Sequence, residues 1–138
     1  MSEANKAEIE FPELTSVDRD FTLENLVRFA NIGYSVSITL NVNGTLISGL
    51  LTSGKDYMET VAQSFEGVSK QGDTLASVYR GISESMYSGE ALPLSDLSLE
   101  FVHLKEAVIF QGNTDFNVGY WRGKINSVDG FSIGKIKK

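Results

Sequence analysis

Ser35-Val36-Ser37-Ile38-Thr39-Leu40-Asn41-Val42-Asn43-Gly44-Thr45 is the stretch that decides the fold. Val36, Ile38, Leu40 and Val42 alternate strictly with small polar residues, which is the period of a half-buried strand. The Asn43-Gly44 pair then predicts a two-residue type I′ turn, because both central positions of that turn need positive φ. Folding the chain back on this turn sets Val42 against Thr45, Leu40 against Ile47, Ile38 against Gly49 and Val36 against Leu51. Such a hairpin has one apolar face.

Upstream, Thr22 reads as an N-cap, with Leu23, Leu26, Val27 and Ala30 at helical spacing and Gly33 placed to end the helix. Downstream, Ser53 caps a helix from about Lys55 to Phe65 with Tyr57, Met58, Val61, Ala62 and Phe65 along one side. A further helix starts at Asp73 or Thr74 and carries Leu75, Val78, Ile82 and Met86 toward Tyr87. The segments around Gly67 to Gly72 and Gly89 to Asp96 read as linkers. Leu97 to Phe110 reads as one or two strands interrupted near Lys105-Glu106. For the chain end, the pattern predicts a hairpin closed by Val128-Asp129-Gly130 with Gly130 left-handed, pairing Ile125 with Ile133. That hairpin sets Trp121, Gly123 and Ile125 on a buried face, with Tyr120, Arg122 and Lys124 on a basic, aromatic one. The expected architecture is α+β: an antiparallel sheet of four to five strands in two hairpins, a short N-terminal helix, and two helices inserted between the hairpins.

Composition sets the limits on chemistry. A chain of 138 residues with 41% apolar and 22% charged content suits one globular domain, and no apolar run approaches the ~18–20 residues that cross a bilayer. The expected division is an acidic flexible leader over 1–20, with Phe11, Leu14 and Val17 as possible anchors, and a single domain over 21–138. The polar, acidic start lacks the pattern of a secretory signal, so the expected location is cytoplasmic. With no cysteine, disulfides, thiolate metal sites and thiol catalysis are excluded. The net charge of −6 argues against nucleic acid as a partner. Charge is nevertheless distributed unevenly. Residues 1–20, including Glu8, Glu10 and Glu13, carry a balance of −4, whereas residues 119–138, including Arg122, Lys124, Lys135, Lys137 and Lys138, carry +4. Copies of the chain could attract end to end.

Each motif that suggests catalysis has a simpler reading. Gly49-Leu50-Leu51-Thr52-Ser53-Gly54-Lys55 fits G-x-x-x-x-G-K, but Asp56 follows where a magnesium-binding hydroxyl belongs, and the segment reads as a strand of an antiparallel hairpin. His103 is the only histidine, so no triad or multi-histidine metal site can form around a second one, and it reads as structural. Asp56 and Glu59 read as a solvated helix surface. No cofactor, metal or catalytic set is expected, and the chain reads as a non-enzyme. The strongest interaction candidate is Tyr120-Trp121-Arg122-Gly123-Lys124, rich in the residue types that anchor interfaces, against the reading that Trp121 packs in the core.

Ser37-Ile38-Thr39-Leu40-Asn41-Val42-Asn43-Gly44, Leu46-Ile47-Ser48-Gly49, Ser53-Gly54-Lys55, Val102-His103-Leu104-Lys105, Trp121-Arg122-Gly123-Lys124-Ile125 and Val128-Asp129-Gly130-Phe131-Ser132-Ile133-Gly134 follow one another in an order that resembles the gas vesicle accessory protein U (GvpU) family, over about residues 22–136. The resemblance implies a cytoplasmic bacterial protein that is not the shell subunit, partners gas vesicle shell proteins and itself (as a homo-oligomer or condensate), and influences vesicle assembly or clustering. A rival resemblance, to an Sm-like RNA-binding domain, rests on a helix before the strands, Asn43-Gly44-Thr45 and Lys55-Asp56-Tyr57-Met58. The helical insertion and the acidic charge oppose it.

Overall fold

The computed structural model describes residues 20–87 and 99–136. Helix α1 (Phe21–Ala30) is capped two residues earlier than the sequence suggests, by Asp20 rather than Thr22. The Asp20 carboxylate accepts from the backbone N–H of Thr22 at 2.9 Å and of Leu23 at 3.3 Å. The Thr22 hydroxyl bond is the leading cause that holds this carboxyl below its usual range. Leu23, Val27 and Ala30 are its buried face.

Strands β1 (Ser37–Val42) and β2 (Thr45–Thr52) form the expected hairpin, with Leu40 opposite Ile47 and Ile38 opposite Gly49. Asn43 and Gly44 have φ of 51° and 86°, as a type I′ turn requires. Ser53 caps α2 (Gly54–Phe65), its hydroxyl accepting from Asp56 N–H at 2.9 Å. Helix α3 (Lys70–Tyr87) begins before the expected cap, since Ser69 Oγ already accepts from Gly72 N–H at 3.0 Å. Its packing face also differs from expectation. Gly72, Ala76, Ser83 and Tyr87 are buried, while Leu75 and Val78 face outward. The small residues let α3 approach α2 closely: a Cβ on Gly72 would lie 2.4 Å from the Phe65 carbonyl oxygen.

Strand β3 (Phe101–Gln111) returns through the Gly112-Asn113 turn into β4 (Thr114–Lys124). The expected interruption near Lys105-Glu106 is a bulge within one strand, with Glu106 at φ 52° and a compensating irregularity opposite, around Val118. A short 3-10 turn (Ile125–Ser127) leads to β5 (Gly130–Ile133). The expected pairing of Ile125 with Ile133 is overturned. β5 pairs instead with β1, placing Ile38 opposite Ile133 and Leu40 opposite Phe131, so the five-stranded antiparallel sheet has the order β4-β3-β2-β1-β5. The physical reason is the 3-10 turn, which buries Ile125 in the core and ends β4, so that the chain crosses to the free edge of β1 rather than folding back on β4. Ile125 is buried in the core, and Asp129 latches the crossing by giving its N–H to Asn41 O at 2.8 Å and accepting from Asn43 N–H at 2.7 Å. Gly130 lacks the expected positive φ for the same reason.

Alternation along these strands gives the sheet two unlike faces. One is apolar: Ile38, Leu40, Ile47, Leu51, Val102, Leu104 and Ala107 pack with α1, Leu99 and Ile125 into the core. The other is polar, bearing Thr39, Ser48, Thr52 and His103. At one end of the polar face Thr39 donates to Gly134 O at 2.8 Å, Ser48 Oγ lies 2.6 Å from Thr39 Oγ1, and Ile136 N–H donates to Ser48 Oγ at 3.1 Å. With the Thr39 proton committed to Gly134, the Ser48 hydroxyl is the donor between them. At the other end lies the cluster described next.

Candidate functional site

Register places Thr52, His103 and Arg122 side by side on the polar face, since Thr52 is opposite His103 and His103 is opposite Arg122. The first turn of α2 and the last of α3 bring Asp56, Tyr57 and Tyr87 onto them. Asp56 Oδ2 accepts from Thr52 Oγ1 at 2.6 Å and from the Tyr120 hydroxyl at 3.1 Å. Arg122 Nη1 donates to His103 Nε2 at 2.9 Å and to the Tyr87 hydroxyl at 3.4 Å. Its guanidinium carbon also sits 3.7 Å from the centre of the Phe101 ring, a cation–π contact. The rings of Tyr57 and Tyr87 pack against His103 with centroids 5.1 Å and 5.6 Å away.

A guanidinium has no acceptor, so the imidazole must accept through Nε2 and carry its proton on Nδ1. His103 is 1% exposed, and burial, with the Arg122 charge second, pushes its pKa from 6.5 down to about 3. It is therefore neutral, with its one lone pair engaged. Nδ1 has no hydrogen-bond partner among the described residues. The imidazole consequently offers no base for proton transfer at neutral pH. What the arrangement does is tie two helices to three strands. Replacing Arg122 by Met is expected to cost about 2 kcal/mol in urea unfolding, because it leaves buried His103 Nε2 without a donor. An unchanged midpoint would mean that Arg122 serves only at the surface.

The other sequence-derived candidates lie elsewhere. Tyr120 and Arg122 do share one face of β4, but that face lies under α2 and Tyr87. Trp121 packs against the apolar core on the opposite face, half-buried, with Gly123 beside it where a Cβ would come within 2.3 Å of the indole. Lys124 is exposed at the end of β4. Lys135 follows β5, the strand at the other sheet edge, with Nζ 3.6 Å from Glu106 Oε1. Glu8, Glu10, Glu13, Lys137 and Lys138, like Phe11, Leu14, Val17 and the Gly89 to Asp96 linker, lie outside the described residues. The Gly49 to Thr52 segment has its place inside β2, flanked by β1 and β3, and a Cβ on Gly49 would lie 2.9 Å from Lys105 O. It has no room for phosphate. Among the described residues no group of three or more His, Cys, Asp or Glu is placed to hold a metal, and no helix is long and apolar enough to cross a membrane. An apolar recess of ≈260 Å³ between α1 and β2, lined by Leu26, Phe29, Tyr34 and Val36 among others, lacks the convergent polar groups of a specific small-molecule site.

Fold and site together define a small α+β protein whose sheet divides an apolar core from a polar clamp. The chain belongs to the GvpU-like family: residues 20–136 match the family described as gas vesicle protein GvpU-like. No curated protein and no solved structure matches it. It is thus a gas vesicle-related protein.

Proposed function

We propose that this protein is a gas vesicle accessory protein that associates with the vesicle and promotes assembly or clustering of vesicles through weak, multivalent self-association. The observation that carries the reading is membership of the GvpU-like family over nearly the whole described chain. Geometry supports it in two ways. The one histidine and the nearest carboxylate are consumed in holding the fold, which favours a binding role over catalysis. Among the described residues the sheet is open at both edges, and Phe116, Val118, Leu75, Val78 and Ile133 are exposed apolar side chains available for contact.

In this reading residues 1–20 act as an acidic leader to a single domain over 21–138, working in the cytoplasm. Glu8, Glu10 and Glu13 of one copy meet the basic end of another, where Lys135, Lys137 and Lys138 follow β5 and Lys124 ends β4. Each exposed pair is weak, and repetition on a vesicle supplies the strength. Light scattering of protein with gas vesicles is expected to fall as salt rises to about 1 M, where the screening length is about 3 Å. Scattering insensitive to salt would reject the electrostatic contact. Failure to co-float with vesicles at micromolar protein would reject association itself.

A further inference from the structure

Among the described residues strand β4 is an edge strand of 11 residues with a partner on one side only. Natural edges of that length are normally blunted by charge, proline, a bulge or brevity; β5 has only 4 residues, while β4 carries a bulge at Val118 and no charge between Asp115 and Arg122. In the middle of β4 the irregular residue is Val118, 41% exposed, and Phe116 beside it is 49% exposed. An apolar side chain therefore stands where a protective charge is usual.

The order of residues on β4 also makes the strand complementary to itself. It begins with an acid, Asp115, and ends with bases, Arg122 and Lys124. Pairing with β3 fixes which face each residue occupies: Asp115, Asn117, Tyr120 and Arg122 share the polar face, and Phe116 and Trp121 the apolar one, the parity changing at Val118. Two copies of β4 running antiparallel with Val118 opposite Gly119 then match like with like. Asp115 is diagonal to the exposed Lys124, Arg122 directly opposite being held by His103 and Tyr87; Phe116 faces Trp121; Asn117 faces Tyr120. Opposite charges and aromatic pairs across a ladder are its stabilising contacts.

We infer that the β4 edge is a homodimer surface, where two copies of this chain pair β4 to antiparallel β4 about a two-fold axis through Val118-Gly119 and join their sheets into one. The twofold contact is closed, so it yields a dimer rather than a fibre. Such a dimer presents two copies of every other surface, and hence can bridge two vesicles; in this it rests on the clustering role proposed above.

Sedimentation velocity over a concentration series is the test, with circular dichroism as the check on folding. The wild-type chain is expected to dimerise, and Val118→Lys to weaken dimerisation at least about tenfold with an unchanged spectrum, since it sets two like charges at the centre of the pairing. Asp115→Lys is expected to weaken it as well, and Asp115→Lys combined with Lys124→Glu to recover most of the loss. In parallel, amide exchange of residues 116–121 is expected to slow as protein concentration rises. A wild type that stays monomeric, a Val118→Lys chain that dimerises normally, or β4 exchange independent of concentration would each overturn the β4 dimer. Vesicle clustering that survives Val118→Lys with its salt dependence intact would remove this interface while leaving the accessory role standing. Loss of co-flotation by the wild type would remove both.

Discussion

Between pH 7 and pH 5 the fold is expected to lose about 2 kcal/mol through His103 alone. The folded imidazole has its pKa pushed from 6.5 to about 3 by burial and by Arg122, so below pH 6.5 the unfolded chain takes up a proton that the folded chain refuses. Stability from this group is full above pH 6.5 and drains as pH falls toward 3, at about 1.4 kcal/mol per unit. The measurement is urea unfolding at the two pH values for the wild type and for His103→Gln, whose amide oxygen can still accept from Arg122. The wild type should lose about 2 kcal/mol more than the variant. Equal losses in both would show that the imidazole is not held neutral by the fold.

Replacing Gly54 by Val is expected to cost about 3 kcal/mol. A Cβ at this position would lie 2.3 Å from the Tyr87 ring, which is itself 3% exposed, and Gly54 N–H is already committed to Asn31 Oδ1 at 2.9 Å. Neither side can yield cheaply. Tyr87 would have to leave its place against His103 and Arg122, so the overpacking penalty is joined by loss of ring contact. Gly81→Ala is the contrast within the same helix layer: nothing lies within 4 Å of its added Cβ, and helix propensity predicts a gain of up to about 1 kcal/mol. Thermal melting of the two variants should move in opposite directions. A Gly54→Val chain as stable as the wild type would contradict the close seating of α2 on Tyr87.

The parts of this architecture that were legible in the sequence are those written in neighbouring residues. Strict alternation and Asn43-Gly44 determine the first hairpin to the residue, and Ser53 announces α2, because turn chemistry and capping act over a few positions. The final strand differs from expectation for the converse reason. Its alternation shows that Phe131 and Ile133 share a face but carries no information on which edge they join, and the choice of β1 is made by contacts far away in the chain. Helix α3 was misread because the large apolar residues Leu75 and Val78 drew attention, whereas close packing on α2 is done by Gly72 and Ala76.

The sequence marks His103 as the lone histidine, and the structure buries it against Arg122, but the cluster around it is invisible in the sequence. In the sequence Asp56 reads as a surface carboxylate, whereas in the fold it accepts from Thr52 and Tyr120. Parity along β3 and β4 contained the signal, since His103 and Arg122 fall opposite the apolar set on their strands. Only the pairing of those two strands turns it into adjacency.

Pairing of β5 with β1 joins residues 95 positions apart, such as Ile38 and Ile133. During synthesis the first strand must therefore wait, one edge unsatisfied, until Ile133 has left the ribosome. Closing so long a loop is entropically slow, and a nascent chain cut short before Gly130 would expose β1 to any passing strand. The sheet can be completed only once β5, made long after β1, has emerged.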